Sequence, residues 1–144
     1  MNQDNHENMR LVIAVNKRLE SGVAMNAVFH LGAGLVNLIG DGGRETLKFL
    51  DFEDGDGQIH RSISARSFIV LRASSSEIRK LREQAQESGV TFADFLATMT
   101  GDTYREQLDR TRQTAGDALE YYGIALYGDK ETLAPLTRKL SLWR

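Results

Sequence analysis

The chain has no cysteine, and among its 144 residues only one proline and one tryptophan. The missing thiols exclude disulfides, thiolate nucleophiles and sulfur-ligated metals, and they agree with a reducing compartment. Excess charge of one sign is lacking too: 18 Lys and Arg stand against 20 Asp and Glu, a net charge of −2. So balanced a molecule offers no general attraction to phosphate backbones, the term behind most non-specific nucleic-acid affinity. No uninterrupted apolar run reaches the roughly 20 residues of a membrane helix, and the start "MNQDNHENMR" lacks the basic-then-apolar order of a signal peptide. The expectation is a cytoplasmic protein that has neither a membrane nor a nucleic acid as partner.

Apolar residues make up 41% and charged residues 26%, close to the soluble globular norm. The length suits one domain with a single core, expected over residues 9–144 behind a loose terminus at 1–8. Leu11 to Val15 form a continuous apolar, largely β-branched run, which reads as a strand buried on both faces.

From Gly22 to Ile39, Ala24, Ala27, Val28, Leu31, Leu35 and Leu38 recur at helical spacing, with a second row at Met25, Phe29, Gly32, Val36 and Ile39. Such a helix needs cover on more than one side, and "GDGG" at 40–43 is expected to end it. The following stretch reads as a strand, an Asp-Gly-rich loop and a return strand at Phe68 to Leu71. Ser74 with Glu77, and Thr103 with Glu106, have capping-box spacing. The first opens a helix with an Ile78, Leu81, Ala85 stripe. The second opens a polar helix to about Thr114 that should carry Tyr104, Leu108 and Thr111 inward. Residues 90–99 fit either a strand or a short helix. "YYGIALYG" reads as a second core strand, and Asp129 caps a helix that Pro135 should bend. Strands alternating with helices predict an α/β fold, a single domain with a mixed sheet of about four strands flanked by helices.

Most motifs have a structural explanation. Gly32-Ala33-Gly34 lies within a helix rather than at the strand-to-helix turn of a dinucleotide fingerprint, and reads as close packing. Asp54, Asp56 and Gly57 imitate a calcium loop, but the alignment puts Phe52 and Ile63 where an acid and a glutamate are required. His6, His30 and His60 have no metal-ligand spacing, so neither metal nor cofactor is expected.

One feature of the long helix stands apart. At 100° per residue Asn26, His30, Ala33 and Asn37 fall in one narrow sector, a polar line amid apolar surroundings. It is either solvated surface or one wall of a pocket at the carboxyl end of the first strand, where α/β sheets place ligands. The candidate ligand-binding residues are Ser21, Gly22, Asn26 and His30. Histidine trades protons near neutral pH, so a hydrolase or transferase acting on a small substrate is the alternative, with His30 as general base and Asn26 or Asp102 orienting groups. A third reading is tRNA or RNA binding through Arg72, Arg79, Lys80 and Arg82. The helix's two apolar rows point to a homodimer.

"LESGVAMNAVFH" after the first strand, together with "GIALYGDKETLAPLTRKLSLW" at the far end, resembles the type 2 peptidyl-tRNA hydrolases. The likeness is closer to an uncharacterised bacterial family assigned to that fold. In the hydrolases the first helix opens with a glycine- and lysine-rich turn and reaches an Ala-Gln-Cys-Ser-His-Ala-like run; Gly22 matches the turn glycine and His30 the histidine. Leu136-Thr137 and Leu140-Ser141-Leu142 follow the hydrolase ending, with Arg138 in place of its glycine. Ser21 and Val23 stand where the hydrolases carry lysines, so the cation that would meet RNA phosphate or the ester is missing. Their Asp-Ala-Gly-x-Thr segment has only "TGDT" at 100–103 as a counterpart, too far ahead of the second core strand. The resemblance therefore implies the architecture and leaves the chemistry open. The expected function is binding of a small ligand, or regulation, without hydrolase activity.

Overall fold

The computed structural model describes residues 6–144. Five strands make the main sheet in the order β5–β6–β1–β4–β7. They are β1 (Met9–Asn16), β4 (Phe68–Ala73), β5 (Thr91–Leu96), β6 (Tyr121–Asp129) and the short β7 (Ser141–Leu142). β1 runs parallel to β4, and the other neighbours are antiparallel. β2 (Phe49–Glu53) and β3 (Ile59–Ser64) form a separate two-stranded hairpin. Among the described residues four α-helices of eight residues or more complete the fold: α1 (Ser21–Thr46), α2 (Ser75–Glu87), α3 (Tyr104–Gln113) and α4 (Lys130–Thr137).

β1 occupies the middle of the sheet, and Leu11 to Val15 are all 5% exposed or less. Alternation of side chains along the strand then divides the core in two. Leu11, Ile13 and Val15 face α1, where Ala24, Ala27, Leu31 and Leu35 meet them. Val12 and Ala14 face the other layer, built on Ile78, Leu81 and Ala85 of α2 and on Leu133 of α4. A parallel neighbour requires a crossover, which α1 supplies between β1 and β4. The buried polar groups at the ends of these elements are paired. Asn16 Nδ2 donates to the Tyr121 carbonyl at 3.0 Å and its Oδ1 accepts from the Arg18 amide at 3.0 Å. Thr46 Oγ1 meets the Tyr127 hydroxyl at 2.6 Å, tying the end of α1 to β6.

The structure corrects several expectations. The sheet has five strands, and residues 90–99 are a strand followed by a single 3₁₀ turn, Ala97–Met99. The long helix does stop at the first glycine of "GDGG": Gly40, at φ +66° and ψ −169°, is non-helical, and a second helical segment beyond this kink runs to Thr46. Glycine adopts that conformation without the strain a side chain would bring. The return strand of the hairpin is Ile59–Ser64, and Phe68–Ala73 belongs to the main sheet. Apolar character favoured Phe68 as the hairpin partner; the shorter loop wins because closing it leaves fewer residues to order. Tyr104 and Leu108 of α3 are 65% and 58% exposed, not packed inward. Of the loose terminus expected at 1–8, residues 1–5 lie outside the described range. The Asn8 carbonyl accepts from the Lys130 amide at 2.8 Å.

By length and composition α1 is apolar enough to cross a membrane, with a mean hydropathy of 1.5 over 18 residues. In this fold its inner face is covered by the sheet.

At Gly123 of β6 the packing of α1 and β1 leaves no room for a side chain. A methyl group there would fall 2.7 Å from Leu31 Cδ1 and 3.0 Å from the Ala14 carbonyl oxygen. Gly123→Ala is expected to lower stability by about 1–3 kcal/mol, the usual cost of overpacking. Gly116→Ala, where an added methyl meets nothing, should stay within about 0.5 kcal/mol of wild type. Denaturant unfolding of the two variants checks the contrast.

Candidate functional site

The polar line of α1 faces outward, and Asn26, His30 and Asn37 are all exposed. His30 is nevertheless held in place: its ring stacks on Phe95 of β5 with centroids 5.0 Å apart and an interplanar angle of 11°. Phe95 is buried and braced in turn by Tyr122, whose ring centroid lies 6.3 Å away. His30 makes no hydrogen bond among the described residues, so its ring nitrogens are free for another partner.

Around this stack lies an open cleft of about 470 Å³. Its floor is Leu31, Gly34, Ala93 and Phe95, and α3 forms the opposite wall with Tyr104, Gln107, Leu108 and Thr111. An added Cβ on Gly34 would lie 3.7 Å from Ala93, so the glycine keeps this floor low without being sterically obligatory. The polar groups are few. Asp94 accepts from Arg82 Nε at 2.9 Å, and Thr111 Oγ1 bonds Thr98 Oγ1 at 2.8 Å.

α3 has no buried residue, so its position depends on polar contacts made before and along it. The capping box predicted at Thr103 and Glu106 is present. Ahead of it Gly101 and Asp102 both adopt positive φ, +73° and +38°. Asp is among the residues that tolerate this region, at some strain. The Asp102 carboxylate takes a two-pronged bond from Arg110, 2.9 Å to each oxygen, and Arg110 also donates to the Thr98 and Thr100 carbonyls. The guanidinium holds the Asp102 carboxyl below the usual aspartate range and is itself raised by it. Asp102 thus anchors the entry to α3 and is not hydrogen-bonded to His30.

The four candidate ligand residues do not converge. Ser21 lines a second cleft of about 500 Å³, with Val15, Ala24, Met25, Val28, Val70 and Trp143, at the carboxyl end of β1. His30 lies nine residues further on, about 13 Å along the helix axis, on the flank facing α3. Gly22 and Asn26 line neither cleft. The arginines considered for RNA are partly committed elsewhere. Arg79 donates to the Gly116 and Leu119 carbonyls and lies over the Tyr121 ring, while Arg82 pairs with Asp94 and lies over Phe92. No group of three His, Asp or Glu side chains fit to hold a metal ion comes together among the described residues. Asp54 ends the hairpin loop by accepting from the Asp56 and Gln58 amides and from His60.

Phe95, Asp94, Gln107 and Thr111 were not legible as site residues in the sequence. The available signal was the Tyr104, Leu108 pair, two apolar residues one turn apart on a polar helix, which fixes a face but not what it covers.

These features define a mixed α/β domain of one five-stranded sheet with a cleft between its long helix and a polar side helix. The chain belongs to the family described as "Protein of unknown function (DUF2000)", whose model matches residues 9–144. A solved structure of a protein of unknown function from Agrobacterium tumefaciens strain C58 is similar, with a TM-score of 0.79 and 18% sequence identity over 95% of this chain and 98% of that one. At that identity the likeness shows the fold. No curated protein matches.

The carboxylate of Asp102 is lowered in the folded state, so its stabilisation is complete above the ordinary value of 3.8 and disappears as pH falls through the lower folded value. Asp102→Asn should melt below wild type at neutral pH, and the gap should close only below pH 3.8. Parallel thermal melts across this range test the anchoring role.

Proposed function

We propose that the protein binds a small, flat, largely apolar ligand in the cleft between α1, β5 and α3, on a type 2 peptidyl-tRNA hydrolase-like fold. The observation that carries this reading is the pairing of a pre-stacked His30–Phe95 wall with Tyr104 and Leu108, both more than half exposed, across an open space of about 470 Å³. Apolar walls with a few convergent polar groups are the usual make-up of small-molecule sites. A ring inserted against His30 would cover Tyr104 and Leu108 and extend the aromatic stack. Gln107 and Thr111 would meet its amide or hydroxyl groups. Ligand binding or regulation is favoured over hydrolase or transferase chemistry because His30 has no orienting hydrogen-bond partner among the described residues and Asp102 is bound to Arg110. The hydrolase-like architecture is supported by the β1–α1 opening and the β6–α4–β7 ending. A bacterial origin and a cytoplasmic location belong to the same proposal.

A thermal-shift screen of nucleotides, amino acids, aminoacyl analogues and short RNA tests it. A flat ligand at a hundred times its Kd should stabilise the wild type by about 2.7 kcal/mol, a shift of several degrees. His30→Ala and Tyr104→Ala, both at exposed positions, should fold normally and lose that shift. A ligand that shifts both variants as it shifts wild type, or a screen with no shift at all, overturns the reading.

A further inference from the structure

We infer that the protein forms a two-fold dimer in which the β2–β3 hairpin of each copy lies across the outer face of the other copy's α1. The hairpin is the first reason. Its two strands pair only with each other among the described residues, and every residue in them but Ser64 is exposed. At its base the Ala65 amide donates to the Lys48 carbonyl and closes the neck, while Ser64 Oγ and Arg66 Nε donate to the Leu47 and Thr46 carbonyls. An isolated two-stranded hairpin is marginal in water at best. Yet this one carries Phe49, Leu50, Phe52, Ile59 and Ile63, each 39 to 60% exposed. Leu50 pairs with Ile63 in the register, and Glu53 with Ile59, so both faces present apolar groups.

α1 supplies the surface to match. Between Glu20 and Asp41 it carries no Asp, Glu, Lys or Arg, although one side of it is open. Met25 and Phe29, 67% and 78% exposed, lie one turn apart on that side. Uncharged exposed faces with aromatic and methionine side chains are the composition of protein interfaces. At roughly 150–250 Å² for each large side chain, these seven residues expose on the order of 700 Å², close to the ~800 Å² per partner of a stable interface.

Exposure selects the second copy. Within one chain the arm and the Met25–Phe29 face do not cover one another, since the apolar residues of both are exposed. A two-fold axis lets each copy's arm lie on the other copy's face, and the contact repeats by symmetry. Charge agrees with this placement. The arm bears Asp51, Glu53, Asp54 and Asp56 against a single Arg61, and the exposed Lys17 and Arg18, which form no salt bridge among the described residues, precede the end of α1 that carries Met25 and Phe29.

Sedimentation equilibrium of the full chain should give about twice 16.1 kDa. Phe29→Glu and Phe52→Glu, on opposite partners of the contact, should each weaken association roughly 100-fold or more by burying an unpaired carboxylate, with unchanged circular dichroism. Because the chain has no cysteine, a mixture of Met25→Cys and Phe52→Cys proteins should give a heterodimer with a short bis-maleimide. A wild type that remains monomeric at about 100 μM leaves the face to another partner and overturns the proposal. So does a dimer that both charge variants preserve, or one in which the mixed cross-link fails to form.

Discussion

The architecture depends on one strand that cannot touch water. Five consecutive apolar residues, Leu11 to Val15, point alternately to two sides, so neither face of the sheet can be left open. α1 closes one side, and α2 with α4 closes the other. Asn16 then ends the burial with a polar group, since its amide and carbonyl are both occupied by backbone partners and the chain can turn toward α1 without an orphaned donor. Fully burying Leu11, Val12, Ile13 and Val15 contributes about 1.5–3 kcal/mol for each.

This constraint also accounts for what could be read from the sequence. β1, the Ala24 to Leu35 face of α1, the α2 stripe and β6 were legible because their burial is periodic and local residues encode it. The two capping boxes were legible because their geometry spans only four residues. The hairpin was misread in its return strand: Phe68 to Leu71 looked like a partner for β2 by hydrophobicity, but a central parallel neighbour of β1 has the same composition. Residues 90–99 were ambiguous for a related reason. Thr91 to Leu96 is an edge strand whose pattern is set by α1 on one side and α2 on the other, and α1 is far from it in sequence.

The candidate site was less legible than the fold. Spacing put Asn26 and His30 on one line, and they do share an exposed flank of α1. A line on a helix has length, however, and Ser21 and His30 fall beside different clefts. What distinguishes His30 from Asn26 is Phe95 beneath it and α3 opposite, both more than 60 residues away in the chain. Asp102 was singled out for its chemistry and serves instead as an anchor, because Arg110, two turns along α3, points back to it.

The way α3 is attached gives the molecule two tiers of stability. With no side chain in the core, the helix can detach by giving up the Arg110 bonds, the Thr98–Thr111 bond and the Gln107 bond to the Gly101 carbonyl, while the sheet stays closed. Amide protons of α3 should therefore exchange with solvent through a local opening that leaves β1 and β6 protected. The cleft wall is then an independently opening unit, so a guest can enter without any loosening of the core that supports His30.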